Sequence, residues 1–143
     1  MKKFLVAAIA CALAGGMSVA AFAQSSSAQT EINTAHAHAL MAESATTVAM
    51  AHTHLHHVIN CLVGPKGAGF DAAAGVPCKG QGNGAIPDSA SDASQHAKLE
   101  TALADAQAGL KATSLTGIHK EAAKVAGSLG ATPAQKPKGG YSW

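Results

Sequence analysis

The chain contains no glycine or proline between Glu31 and Val63, and alanine recurs throughout this stretch. Alanine favours helix because it loses no side-chain entropy there. From Gly64 to Asp88, seven glycines and three prolines follow, too many for a regular element. Helical composition returns over 90–111 and 116–129. The sequence predicts an all-α fold, a small antiparallel bundle of about three helices with a long glycine-rich loop, 64–88.

The start of the chain resembles an export signal. Lys2 and Lys3 precede an apolar run, and the small-residue pattern Ala21-Phe22-Ala23 that follows suits cleavage by signal peptidase before Gln24. We expect residues 1–23 to be a secretory signal peptide, 24–30 a flexible lead, 31–130 the helical domain and 131–143 a mobile tail. A retained anchor is disfavoured because glycines interrupt the run before the ~20 residues that a spanning helix needs. A lipoprotein anchor on Cys11 lacks the apolar residue expected at Ala8. The protein is therefore expected to be periplasmic or secreted, without a stable membrane anchor.

Composition argues against a nucleic-acid partner. The chain has no arginine, and removal of Lys2 and Lys3 from its ten basic residues leaves eight, equal to its eight acidic residues. Beyond the signal, the aromatic residues are Phe70, Tyr141 and Trp143. Arginine and aromatic side chains, which usually bind phosphates and stack on bases, are therefore absent or scarce.

Two cysteines, Cys61 and Cys78, remain after the signal. An even pair in an exported chain predicts one disulfide. The alternative, in which both thiolates bind a metal, is less favoured because the chain has no Cys-x-x-Cys motif.

Four of the eight histidines lie in the segment His52-Thr53-His54-Leu55-His56-His57. Imidazole is the commonest protein ligand for transition metals. On a helix, His52 and His56 project from one face, one turn apart. His54 points to the far side, and His57 lies between the two directions. A continuous helix would therefore divide the cluster.

Histidines on separate helices are expected to face one core. His96 falls on the apolar stripe of the second helix and His119 on that of the third, while His52, His56 and His38 flank the stripe of the first. A buried imidazole must satisfy both ring nitrogens, and an alanine-rich core has few partners. The alternative is that each ring bonds to a backbone carbonyl or water at a helix end. The predicted metal ligands are His52, His56, His96, His119 and His38, while His36, His54 and His57 are expected on the solvated surface.

Catalytic motifs are missing. Thr53 occupies the place where a zinc protease would have its glutamate base. The chain also lacks a nucleophile elbow, a phosphate loop and the Glu-x-x-His repeats of di-iron bundles. The sequence therefore predicts that the protein is not an enzyme.

The identity of the ion is left open between copper and zinc. Met41 or Met50 could add a thioether, which suits copper, although methionine at helical spacing is more often a core filler. Non-covalent haem is disfavoured by the shortage of aromatic residues. The sequence predicts an exported metal-binding protein for buffering, sequestration or delivery. The alternative is a structural or interaction protein of the cell envelope, with no metal, whose loop around Phe70 and Asp71 meets an envelope protein.

Overall fold

A computed structural model describes residues 19–130, with side chains from Ser27 onward. The predicted signal peptide lies largely outside the described residues, and the predicted tail, 131–143, lies wholly outside them. The described part of the chain is helical and contains no strand, which confirms the all-α prediction. Its helices are α1 (Val19–Ser44), α2 (Val48–Val63), α3 (Ala85–Asp88), α4 (Ala93–Lys111) and α5 (Leu115–Gly130).

The predicted first helix is two helices, so the bundle has four long helices where about three were expected. The chain leaves α1 after Ser44 and enters α2 at Val48. Thr47 is extended and caps α2, because its hydroxyl accepts a hydrogen bond from the Met50 N–H at 3.2 Å. A three-residue connection therefore makes a break without glycine or proline and folds the chain back on itself.

Residues 24–30, expected to be a flexible lead, lie within α1. This segment contains no helix breaker, and Ala28 is buried against the bundle. The serine-rich composition of the segment indicated flexibility, but one packed face is sufficient to continue the helix.

The four long helices form one up-and-down bundle. α1 packs against α2 and α5, and α4 packs against the same two helices. The start of α5 lies beside the end of α1, where the His119 ring contacts the Ala45 carbonyl. Neighbouring helices are therefore antiparallel around the whole ring.

Small residues on α1 bring the helices close together. Ala35, Ala39 and Ala42 are fully buried at three- and four-residue spacing, which is one face of a helix. Larger aliphatic side chains from the other helices fill the space opposite this face: Leu55, Val58, Leu62, Leu99, Ile118 and Val125.

The loop after α2 is ordered by covalent and polar links to the bundle. A disulfide joins Cys61 on α2 to Cys78, with Cα atoms 5.3 Å apart, as predicted. The loop also contains a 3₁₀ turn, Ala72–Ala74, and the short helix α3. Pro87 lies in α3, and α4 begins after Asp92, which caps it by accepting a hydrogen bond from the Gln95 N–H.

Candidate metal centre

Three histidine rings meet between α1 and α2. The Nδ1 atom of His38 on α1 lies 3.2 Å from Nδ1 of His54 and 3.4 Å from Nδ1 of His57, both on α2. The three residues are half-buried. In the described part of the chain they are the one group of three or more potential ligands with ligand atoms all within 4.8 Å of one another.

The spacing of these nitrogens fits one ion. Two nitrogens each bound about 2.0–2.1 Å from a tetrahedral zinc ion lie roughly 3.3–3.4 Å apart. The two Nδ1–Nδ1 distances, 3.2 and 3.4 Å, match that separation. The rings of His38 and His57 meet edge to face with centroids 4.6 Å apart, and His54 stacks on His38 at 5.4 Å. The geometry can therefore supply three ligands and leaves a coordination position for another group.

The His57 ring is oriented from outside the cluster. Its Nε2 lies 2.7 Å from the carbonyl oxygen of Ala74 in the loop. A carbonyl can only accept, so Nε2 carries the hydrogen. In the neutral ring the lone pair is then on Nδ1, which faces His38. Metal-binding histidines commonly use such a bond from the other ring nitrogen to fix the tautomer.

The cluster disfavours its own protonation. Burial, followed by the proximity of His57 and of His54, lowers the pKa of His38 to about 4. Burial and the neighbouring His57 also lower the pKa of His54. At neutral pH the His38 ring is therefore uncharged, and its lone pair is available to an ion without displacing a proton.

The five predicted ligands do not meet in one pocket. Only His38 belongs to the cluster. His52 contacts the Ala112 carbonyl through Nε2 at 3.2 Å, and His119 contacts the Ala45 carbonyl through Nε2 at 2.9 Å. These two rings therefore follow the alternative interpretation, a bond to a backbone carbonyl at a helix end.

The remaining histidines lie apart from the cluster. Nδ1 of His56 is 3.8 Å from a carboxylate oxygen of Asp71. His96 lies half-buried on α4, and His36 lies beside Gly130 at the end of α5. His54 and His57, the histidines that the sequence assigned to the solvated surface, are the ones that join His38.

Two signals in the sequence pointed to this arrangement. His54 and His57 are three residues apart, which places them on the same face of a helix as effectively as a spacing of four. The run Ser44-Ala45-Thr46-Thr47 contains residues that favour an N-cap. A helix start after this run would have brought His38 opposite the later histidines.

A second polar group lies at the other end of the loop. Glu31 on α1 is buried and accepts a hydrogen bond from the Gly84 N–H at 2.8 Å, while its Oε2 has no hydrogen-bond partner within the described residues. Asp88, also buried, accepts from Asn83. Burial raises the pKa of Glu31 to about 7, and the nearby Asp88 carboxylate contributes a smaller part of this increase.

Comparisons with known proteins leave the geometry as the guide to function. No protein-family model, curated protein or solved structure matches this chain. Among residues 19–130, none of the helices has both the length and the apolar character needed to cross a bilayer.

Proposed function

We propose that this protein binds one transition-metal ion, copper or zinc, through the Nδ1 atoms of His38, His54 and His57. The observation that carries the proposal is that Nδ1 of His38 lies 3.2 and 3.4 Å from Nδ1 of His54 and of His57, which is the separation of two nitrogens bound to a single ion, and that one ligand atom from each of the three rings lies within 4.8 Å of the others. The hydrogen bond from His57 to Ala74 supports it because it directs the His57 lone pair into the cluster, and the low pKa of His38 supports it because that ring is neutral at pH 7.

The proposed role is buffering, sequestration or delivery of the ion, without catalysis. Three half-buried ligands on neighbouring helices leave the ion accessible from the surface, which suits exchange with another carrier. The disulfide and the signal-like start of the chain support a periplasmic or secreted location. Haem is not proposed, because an iron porphyrin takes its axial ligands from opposite sides of a flat ring, whereas these imidazoles contact one another directly.

A titration of the purified chain with Zn²⁺ and Cu²⁺ against a chromophoric chelator tests the proposal. We expect one ion per chain with micromolar or tighter affinity, weakened about 10–100-fold in His38→Ala, His54→Ala or His57→Ala. His96→Ala is the matched control and should bind as the parent does. Circular dichroism confirms that each variant is folded.

Two results would contradict the proposal. One is the absence of saturable binding, which would favour the structural or interaction protein of the envelope. The other is binding that survives loss of the cluster but is lost in the double variant His52→Ala/His119→Ala. Phe70 and Asp71, suggested for the envelope contact, are half-buried, and the Asp71 backbone bonds to Asn60.

A further inference from the structure

Both methionines of the described residues lie on the surface. Met41 on α1 retains 47% exposure and Met50 on α2 retains 48%. The expected use of methionine as a core filler is therefore wrong for both, since the buried core contains neither. Large apolar side chains at this exposure are few in the described part of the chain, and the others are Leu40 and Val76.

The two methionines lie next to the histidine cluster along their helices. Met41 is three residues after His38, and Met50 is four residues before His54, so each shares a helix face with a cluster histidine at a Cβ separation of about 5–6 Å. Because α1 and α2 are antiparallel, both positions lie on the same side of the cluster, about one turn closer to the 45–47 connection. Both methionines are therefore anchored about one helical turn from the cluster, at exposed positions.

The Met50 side chain is only weakly held. Its Sδ accepts a hydrogen bond from the Thr46 hydroxyl at 3.9 Å. Thioether sulfur is a weak acceptor, and methionine has three rotatable bonds. A metal–sulfur bond can replace this contact by rotation of the side chain alone.

Thioether ligands discriminate between ions. Sulfur of methionine is a soft ligand that selects copper(I), whereas zinc is served well by imidazole alone. We propose, on the basis of the function proposed above, that the thioether of Met41 or Met50 fills the fourth coordination position of the His38–His54–His57 site and makes the site selective for copper(I). The ion enters and leaves in the monovalent state, so no electron transfer is involved.

The test compares copper(I) and zinc in the same variants. Met41→Leu, Met50→Leu and the double variant keep apolar volume but remove sulfur. Copper(I) affinity is measured by competition with bicinchoninate under ascorbate, and zinc affinity with a chromophoric chelator. We expect the double variant to lose copper(I) affinity by about tenfold or more while zinc affinity is unchanged. Leu40→Met, which adds a thioether at a neighbouring exposed position off this face, is the control and should not strengthen copper(I) binding.

X-ray absorption supplies a direct readout. Copper(I)-loaded parent protein should show sulfur in the first coordination shell, and the double variant should show nitrogen alone. If copper(I) affinity and the absorption spectrum are the same in the parent and the double variant, the methionine proposal is wrong, while zinc binding lost in His38→Ala still supports the proposed function. If the parent binds neither ion, both proposals fall.

Discussion

The side chain of Asn60, on α2, binds the loop backbone on both sides of Ala74. Its amide donates to the carbonyl oxygens of Asp71 and Gly75 at 2.7 and 2.6 Å and accepts from the Asp71 N–H at 2.8 Å. These contacts flank Ala74, whose carbonyl orients the His57 ring. Asn60 is 2% exposed, so water cannot substitute for its hydrogen bonds.

Asn60→Ala is therefore expected to cost about 3 kcal/mol in the free energy of unfolding, because it leaves buried backbone groups unpaired. It should also weaken zinc binding several-fold through loss of the His57 orientation. Urea denaturation and zinc titration measure the two effects. Asn33→Ala removes an exposed side-chain bond to Gln29 and should change stability by less than about 0.5 kcal/mol. Equal effects of the two substitutions would contradict this account of the loop.

Glu31 gives the stability of the metal-free protein a pH dependence of unusual sign. Its pKa is about 7 in the fold, against 4.5 for an unperturbed glutamate side chain. Glu31 thus favours the folded state below about pH 4.5, and this contribution is lost as the pH rises through about 7. His38, with its pKa lowered from 6.5 to about 4, acts in the opposite direction: its contribution is present above about pH 6.5 and is lost as the pH falls through about 4.

Glu31→Gln separates these contributions. The amide replaces the neutral acid and keeps an oxygen for the Gly84 N–H. The free energy of unfolding of the variant, relative to that of the parent, should therefore increase by roughly 2 kcal/mol from about pH 5 to about pH 7.5. Denaturation of the metal-free protein at both pH values measures the difference. Glu100→Gln, at an exposed position, is the control. A constant difference between Glu31→Gln and parent at the two pH values would show that Glu31 does not take up a proton on folding.

At the scale of the helices, the sequence predicted where α4 and α5 begin and end better than it predicted which histidines lie opposite one another. The starts and ends of α4 and α5 lie within a few residues of those expected, because apolar periodicity and breakers mark them. The break between α1 and α2 was missed because it depends on the Thr47 cap and on packing of the two helices, not on a glycine or proline. That one error separated His38 from His54 and His57 and made the predicted ligand set differ from the observed cluster.

Gly84 allows the loop to approach the end of α2. Its φ is +117°, and a Cβ on it would lie 2.6 Å from the carbonyl carbon of Val63. Gly84→Ala is therefore expected to destabilise the fold by about 3 kcal/mol or more. Gly127, in α5, has open space around a Cβ, and Gly127→Ala should stabilise by about 0.5–1 kcal/mol. Thermal unfolding of the two variants should show shifts of opposite sign, and equal shifts would contradict the role of Gly84.

At the scale of the whole molecule, the disulfide joins the bundle to the loop that orients the cluster. Both Asp71 and Ala74 lie within the closed segment between Cys61 and Cys78. Because that pairing follows from the even cysteine count and the expectation of export, it could be predicted from the sequence. The contacts inside the closed segment could not, since they depend on the path of an irregular loop.

Removal of the disulfide should therefore affect both stability and binding. Cys61→Ser/Cys78→Ser is expected to lose about 3 kcal/mol of stability. Zinc affinity should fall in parallel by up to about tenfold, since the Ala74 carbonyl is less well positioned. Urea denaturation and chelator competition on the same preparations measure the two quantities. Unchanged zinc affinity in the folded double variant would show that the loop does not support the site.

The short connection at Ala45–Thr47 has a consequence for the origin of the site. All three cluster histidines lie on two consecutive helices, and the Ala74 carbonyl that orients His57 follows in the next loop, so the cluster and its support lie in one uninterrupted stretch of chain. Such a hairpin is a portable unit. Grafted together with its disulfide-closed loop onto the helices of an unrelated scaffold, it would carry the three histidines and the carbonyl that orients His57.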